Sequence, residues 1–173
     1  MIELKELTEK TLEIFGCQSV EDLGNALMGS LEDKSKLQVF CDLVDNDLTK
    51  DWLQMIFQYY QADRKGKKQD YTPKCLAQFL SRLIGESSES IDMCAGSGAL
   101  TIQRWLENPD TVFYCYEIDE KVIPYLLFNL VIRNISATVN QGDILQDEIY
   151  NVWEITKGEK YGKIACIKST VQS

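Results

Sequence analysis

From Ser90 onward the chain changes period twice: Ser90 to Cys94 reads as a short strand, Ala95-Gly96-Ser97-Gly98 as a turn, and Ala99 to Glu107 as a helix. A strand, a two-glycine turn and a helix in that order tightly constrain the architecture. The helix has to cross back over a sheet, and the next strand then lies parallel to the first. The pattern continues as a strand at Thr111 to Tyr116 and a helix from Asp119 to Arg133, with Val122, Tyr125, Leu126, Asn129 and Leu130 on one side. Ala137 to Gln141 reads as a third strand, Asp147 to Thr156 as a helix and Lys163 to Ile167 as a fourth strand. The expected class is α/β with a parallel sheet.

The first sixty residues follow a different rule. Leu4, Leu7, Thr11 and Ile14 recur at helical spacing. Val20, Leu23, Leu27 and Leu31 follow a Ser19 to Asp22 capping signal, and Leu37, Phe40, Cys41 and Val44 form a third stripe. Leu53, Ile56, Phe57 and Tyr60 follow Thr49, a candidate N-cap. The aromatic residues Trp52, Phe57, Tyr59 and Tyr60 suit a core better than a base-stacking platform. Gln61 to Asp70 loses apolar periodicity, so the expected division is a helical domain at 1–61, a linker at 62–70 and a second domain at 71–173. Within the linker, Arg64-Lys65-Gly66-Lys67-Lys68 reads as a solvated basic stretch or a phosphate contact. Thr72-Pro73 opens a further helix as cap and first residue, with Leu76, Phe79, Leu80 and Leu83 expected on its buried face.

Composition narrows the chemistry. The chain has no histidine, which removes imidazole-based triads and the commonest zinc sites. Six scattered cysteines read as buried reduced thiols rather than a disulfide or metal framework. The net charge is -9, and residues 1–60 hold twelve acids against five bases, so that part is a poor surface for nucleic acid. No stretch approaches the ~18 consecutive apolar residues of a membrane span, and the expected location is the cytoplasm.

The glycine turn points to a nucleotide-type cofactor. Glycines let backbone approach a ligand where helix amides point outward, and Glu117 ends the next strand, where a carboxylate can accept from two ribose hydroxyls. Asp119 reads as a cap for the following helix. A nicotinamide dinucleotide pattern is not satisfied, because Thr101 stands where the third glycine belongs. A tight turn without any ligand is the competing reading.

Tyr71-Thr72-Pro73, then Asp92-Met93-Cys94-Ala95-Gly96-Ser97-Gly98, then Glu117-Ile118, then Gly142-Asp143-Ile144-Leu145 resemble the ordered cofactor motifs of N6-adenine DNA methyltransferases. The likeness extends to modification subunits of type I restriction-modification systems, which the chain resembles. The resemblance implies a Rossmann-like fold, a helical domain before the threonine-proline motif and S-adenosyl-L-methionine as cofactor. It places the site at Tyr71, Thr72, Pro73, Asp92, Cys94, Gly96, Gly98, Glu117, Ile118, Asp143 and Ile144. Thr72 would hold the methionine carboxylate, and Asp92, Gly96 and Gly98 would surround the methionine part. Glu117 would bind ribose, Asp143 would accept from the adenine amine and Ile144 would pack on its ring. Asp143 also reads as a turn residue after Gly142.

The family's fourth strand ends in Asn or Asp, Pro, Pro, and Tyr or Phe, which hold and stack a flipped-out adenine whose amine is a poor nucleophile. Here Lys160 to Thr170 contains no such tetrapeptide, and Asn108-Pro109-Asp110 falls in the loop between the first two strands. No catalytic residue and no metal ligand is assigned. The sheet is expected to be partial, with DNA as the family's partner. The expected last strand has an open edge, suited to a second copy or another chain, unless the C-terminal residues fold back and cover it.

Overall fold

The computed structural model describes residues 2–60, 72–85 and 87–169. Tyr71, the 62–70 linker, its basic stretch and Thr170 lie outside the described residues. Four helices come first: α1 Leu4–Phe15, α2 Val20–Met28, α3 Lys34–Leu43 and α4 Trp52–Tyr60. The alternating part follows as α5 Lys74–Ile84, β1 Glu89–Asp92, α6 Ala99–Glu107, β2 Val112–Glu117, α7 Ile123–Ile132 and β3 Ala137–Asp143. Two more strands, β4 Glu148–Thr156 and β5 Lys163–Ser169, complete a sheet ordered β1-β2-β3-β4-β5.

β1, β2 and β3 pair in parallel, as their helical crossovers require. Phe113, Cys115, Ala137 and Val139 fill the buried face of β2 and β3, where Phe113 faces Ala137 and Cys115 faces Val139. All ten residues of α7 are buried. Phe128 is the hinge of that packing: its ring meets Phe15 at 5.3 Å and Phe40 at 5.2 Å, both edge-on. Phe57 meets Tyr125 at 5.0 Å in the same way, so the N-terminal helices and the sheet share one core through α7.

The C-terminal third departs from expectation. The stretch read as a helix at Asp147 to Thr156 is strand β4, antiparallel to β3, and the strand expected as a parallel fourth is instead β5, antiparallel to β4. Ile149, Val152, Ile155 and Thr156 are β-branched, which favours the strand. The turn entering it places Asp147 at φ 56. Gly142 permits the close approach, since a Cβ there would sit 2.0 Å from the Glu148 carbonyl oxygen.

Smaller corrections concern caps and faces. Asp51, not Thr49, caps α4, its Oδ1 accepting from the Gln54 amide at 2.9 Å. Pro73 is itself the N-cap of α5, one residue later than the sequence implies, and no side chain caps the end. The helix expected from Asp119 begins at Ile123, after a turn in which Asp119 accepts from the Lys121 amide. Leu76, Phe79 and Leu83 of α5 are exposed rather than buried, because the helix packs on α6 through Ala77 and Ser81. Tyr59 and Tyr60 are exposed while Trp52 and Phe57 are core, and Cys75, Cys94 and Cys166 are exposed thiols. No described helix is long and apolar enough to cross a membrane.

Phe128→Ala opens a void where three aromatic rings meet and should destabilise the protein by about 3–5 kcal/mol. Chemical denaturation followed by circular dichroism reads this, and a loss below about 1 kcal/mol would mean that the rings do not carry the shared core.

Candidate functional site

Three strand ends line up along one edge of the sheet. Asp92 pairs with Cys115 and Glu117 pairs with Gln141, so Asp92 ends β1, Glu117 extends two residues further on β2, and Asp143 two further again on β3. This stagger sets the acidic residues in a diagonal at the carboxyl ends of parallel strands, where such sheets take ligands.

The glycine turn is tied directly to β2. The Gly96 amide donates to Glu117 Oε2 at 2.8 Å, and the Asp119 amide donates to Glu117 Oε1 at 2.8 Å. The carboxylate is thereby fixed at both oxygens, each of which keeps a further lone pair for a hydroxyl. The Ala95 amide donates to the Tyr116 carbonyl at 2.9 Å and closes the turn onto the strand. Gly96 and Gly98 have φ of 55° and 100°, and a Cβ on Gly98 would press on Leu126 at 3.1 Å. Both positions demand glycine for conformation, and Gly98 for packing as well.

Asp92 is held by α6. The Thr101 hydroxyl donates to Asp92 Oδ2 at 2.9 Å, so the residue that breaks the dinucleotide glycine pattern positions the strand-end acid. Burial pushes the Asp92 carboxyl up, against the Thr101 hydroxyl and the Cys94 amide, which pull it down. Beside it, burial drives the Cys115 thiol up to about 12, which leaves that sulfur inert.

The remaining expected residues divide. Thr72 lines a cavity of about 210 Å³ with Lys50, Asp51, Ala77 and Ala99, the last being the first residue after the glycine turn. Asp143 is engaged inside its own turn, its Oδ1 accepting from the Leu145 amide at 3.0 Å and its Oδ2 from the Gln146 side chain at 2.8 Å. Ile118 is exposed, as is Cys94. Pro73 acts on the start of α5. A larger groove of about 690 Å³ between α3 and residues 159–164 shares no residue with these.

Asp51 is the site neighbour that sequence reading passed over. Its position just before an apolar helical run was the available signal, and Thr49 has the same cap chemistry. Burial raises the Asp51 carboxyl, opposed first by the Ser97 hydroxyl and then by Arg133. That hydroxyl faces the carboxylate without the alignment of a full hydrogen bond.

A family model described as N-6 DNA Methylase matches residues 44–161, about two thirds of the chain and inclusive of every strand end just described. The chain belongs to the N-6 DNA methylase family. Neither a curated protein nor a solved structure matches it. The methylase match begins at Val44, so it takes in α4 and the loop before it together with the glycine turn. No Asn/Asp-Pro-Pro-Tyr/Phe run occurs in this chain, and β4 reverses direction directly after Asp143.

An acid whose pKa is raised by folding stabilises the folded state below its unfolded pKa, and that contribution is lost as pH rises through the folded value. The stability of the native protein relative to Asp92→Asn should therefore fall as pH is raised from about 4 to 8. Thermal melts of both proteins across that range read the difference, and a flat difference would mean that Asp92 is not desolvated.

Proposed function

We propose that this methylase-family chain binds S-adenosylmethionine at the carboxyl ends of β1, β2 and β3, and does not by itself methylate DNA. The observation that carries the reading is the Glu117 carboxylate, anchored to the Gly96 and Asp119 amides yet retaining acceptor capacity. Glu117 would accept from the ribose hydroxyls. Gly96 and Gly98 would admit the methionine part against backbone, with Asp92 beside it. Thr72 would contact the amino-acid end, in the cavity that Lys50, Asp51, Ala77 and Ala99 also line. Asp143 and Ile144 would meet the adenine, with Tyr71 and Pro73 flanking Thr72, and Cys94 and Ile118 bordering the turn and the strand end. When bound, the cofactor supplies an electrophilic methyl group on a sulfonium sulfur.

The family acts on DNA, and methyl transfer to N6 of adenine needs acceptors for the amine hydrogens and a ring to stack on the base. The chain lacks the Asn/Asp-Pro-Pro-Tyr/Phe run that fills those roles in the family.

A second reading, a subunit that docks with another chain, is favoured by the open outer side of β1. Among the described residues that strand ends the sheet, and Ile91 on it and Met93 just after it are exposed alongside Phe79 and Leu83 of α5. In that reading the helical part at 1–61 supports assembly rather than DNA contact.

Calorimetry should detect S-adenosylmethionine binding by the native chain, and Asp92→Ala or Glu117→Ala should each weaken it tenfold or more. Absence of binding by well-folded native protein would overturn the cofactor reading. Transfer of labelled methyl to adenine-containing DNA by the purified chain alone should stay at background, and incorporation above it would overturn the claim that the chain cannot methylate unaided.

A further inference from the structure

The segment 47–51 is held with unusual completeness. The four backbone carbonyls from Asp47 to Lys50 are each taken by a side chain: Asp47 by the Trp52 indole at 2.7 Å, Leu48 by Arg133 Nε at 2.9 Å, Thr49 by the Gln103 amide at 3.0 Å, and Lys50 by a terminal Arg133 nitrogen at 2.6 Å. Gln103 belongs to α6, and Arg133 follows α7. The loop is therefore threaded between the two helices that flank the glycine turn. Surface loops ordinarily satisfy such carbonyls with water, so this one is built to be rigid.

One side chain joins the loop to the turn. Asn129 of α7 is buried to 1% exposure, and its single amide nitrogen donates both to Asp51 Oδ1 at 2.8 Å and to the Ser97 carbonyl at 2.9 Å. Its oxygen accepts from Arg133 at 2.8 Å, which fixes the orientation of the amide. Arg133 is itself buried to 4% exposure, with its pKa lowered to about 10 chiefly by that burial, so it is charged at neutral pH. Ser97 is the residue between the two glycines and is also buried. A turn with positive φ on both sides of Ser97 has little conformational stiffness of its own; β2 holds its Ala95 and Gly96 amides, and the Ser97 carbonyl is the point where α7 grips it.

We propose that Asn129 is a positioning residue of the site: it clamps the Ser97 carbonyl, with Asp51 and Arg133 orienting it, so that the 47–51 loop sets the placement of the glycine turn. The consequence for affinity rests on the cofactor-binding reading, whereas the consequence for the turn does not. The helical part is thereby more than a neighbour of the site, since moving the loop moves the backbone that the ligand approaches.

Asn129→Asp reverses the donor and sets two carboxylates against each other. Adding Asp51→Asn restores a donor between 51 and 129 and keeps the contact with Arg133, but leaves the Ser97 carbonyl facing an acceptor. The double variant should regain only part of the melting temperature lost by the single one, because the atom that then donates to residue 129 no longer accepts from the Gln54 amide at the start of α4. Amide exchange across 95–100 should remain at least tenfold faster than native, and S-adenosylmethionine should bind at least tenfold more weakly. A double variant with native exchange in the turn would overturn the proposal, because Asn129 would then be only a core polar group. If the double variant does not fold, Asn129→Ser, too short to span both partners, takes the same readouts with the same expectations. Should the native chain bind no S-adenosylmethionine, the cofactor reading falls, and exchange in the turn still decides the role of Asn129.

Discussion

Burial of α7 on every side is the constraint from which the rest follows. A helix with no solvent face cannot place a polar residue without giving it partners, and leaving a buried polar group unpaired costs about 1–3 kcal/mol. Only Asn129 is strongly polar among its ten residues, and Arg133 lies one turn on. Both are fully engaged, and every group that engages them belongs either to the glycine turn, to the loop before α4 or to α7 itself. The apolar remainder of α7 joins the N-terminal helices to the sheet through Phe128 and Tyr125. The same helix thus unites the core and anchors the glycine turn from the side opposite its bonds to β2.

The legible and illegible parts of the sequence differ in physical kind. From Ser90 to Gln141 the periods are clean, the glycines mark a real left-handed turn, and Glu117 falls at a strand end as its spacing implies. The family follows from motifs in that region, and the match over 44–161 bears it out. The misread part is 147–156, where Ile149, Val152 and Ile155 satisfy a helical i, i+3, i+6 spacing as well as a strand's preference for branched residues. What decided between them was tertiary: the passage of β4 over Gly142, which no local pattern announces.

The face of α5 failed for a related reason. Leu76, Phe79 and Leu83 form an apolar stripe that predicts burial, and the described chain places nothing over them. Periodicity reports what a helix can bury, not whether a neighbour is there to cover it. The contacts of Asn129 with Ser97 and Asp51 lay beyond reach because those partners stand 32 and 78 positions from it along the chain, and the pairing emerges only after the helices are packed.

The two antiparallel pairings at the end of the sheet carry a consequence of parity. One reversal sends β4 against β3, and the second sends β5 back, so β5 runs in the direction of the first three strands. Glu117, Gln141, Asn151 and Ser169 then fall in a single row across four strands, with the Asn151 amide donating to the Gln141 side chain at 2.6 Å. The ribbon therefore does not close off the edge that carries the acidic diagonal. It lengthens that edge with a polar border, and the far end of β5 comes to rest on the same rim as Glu117.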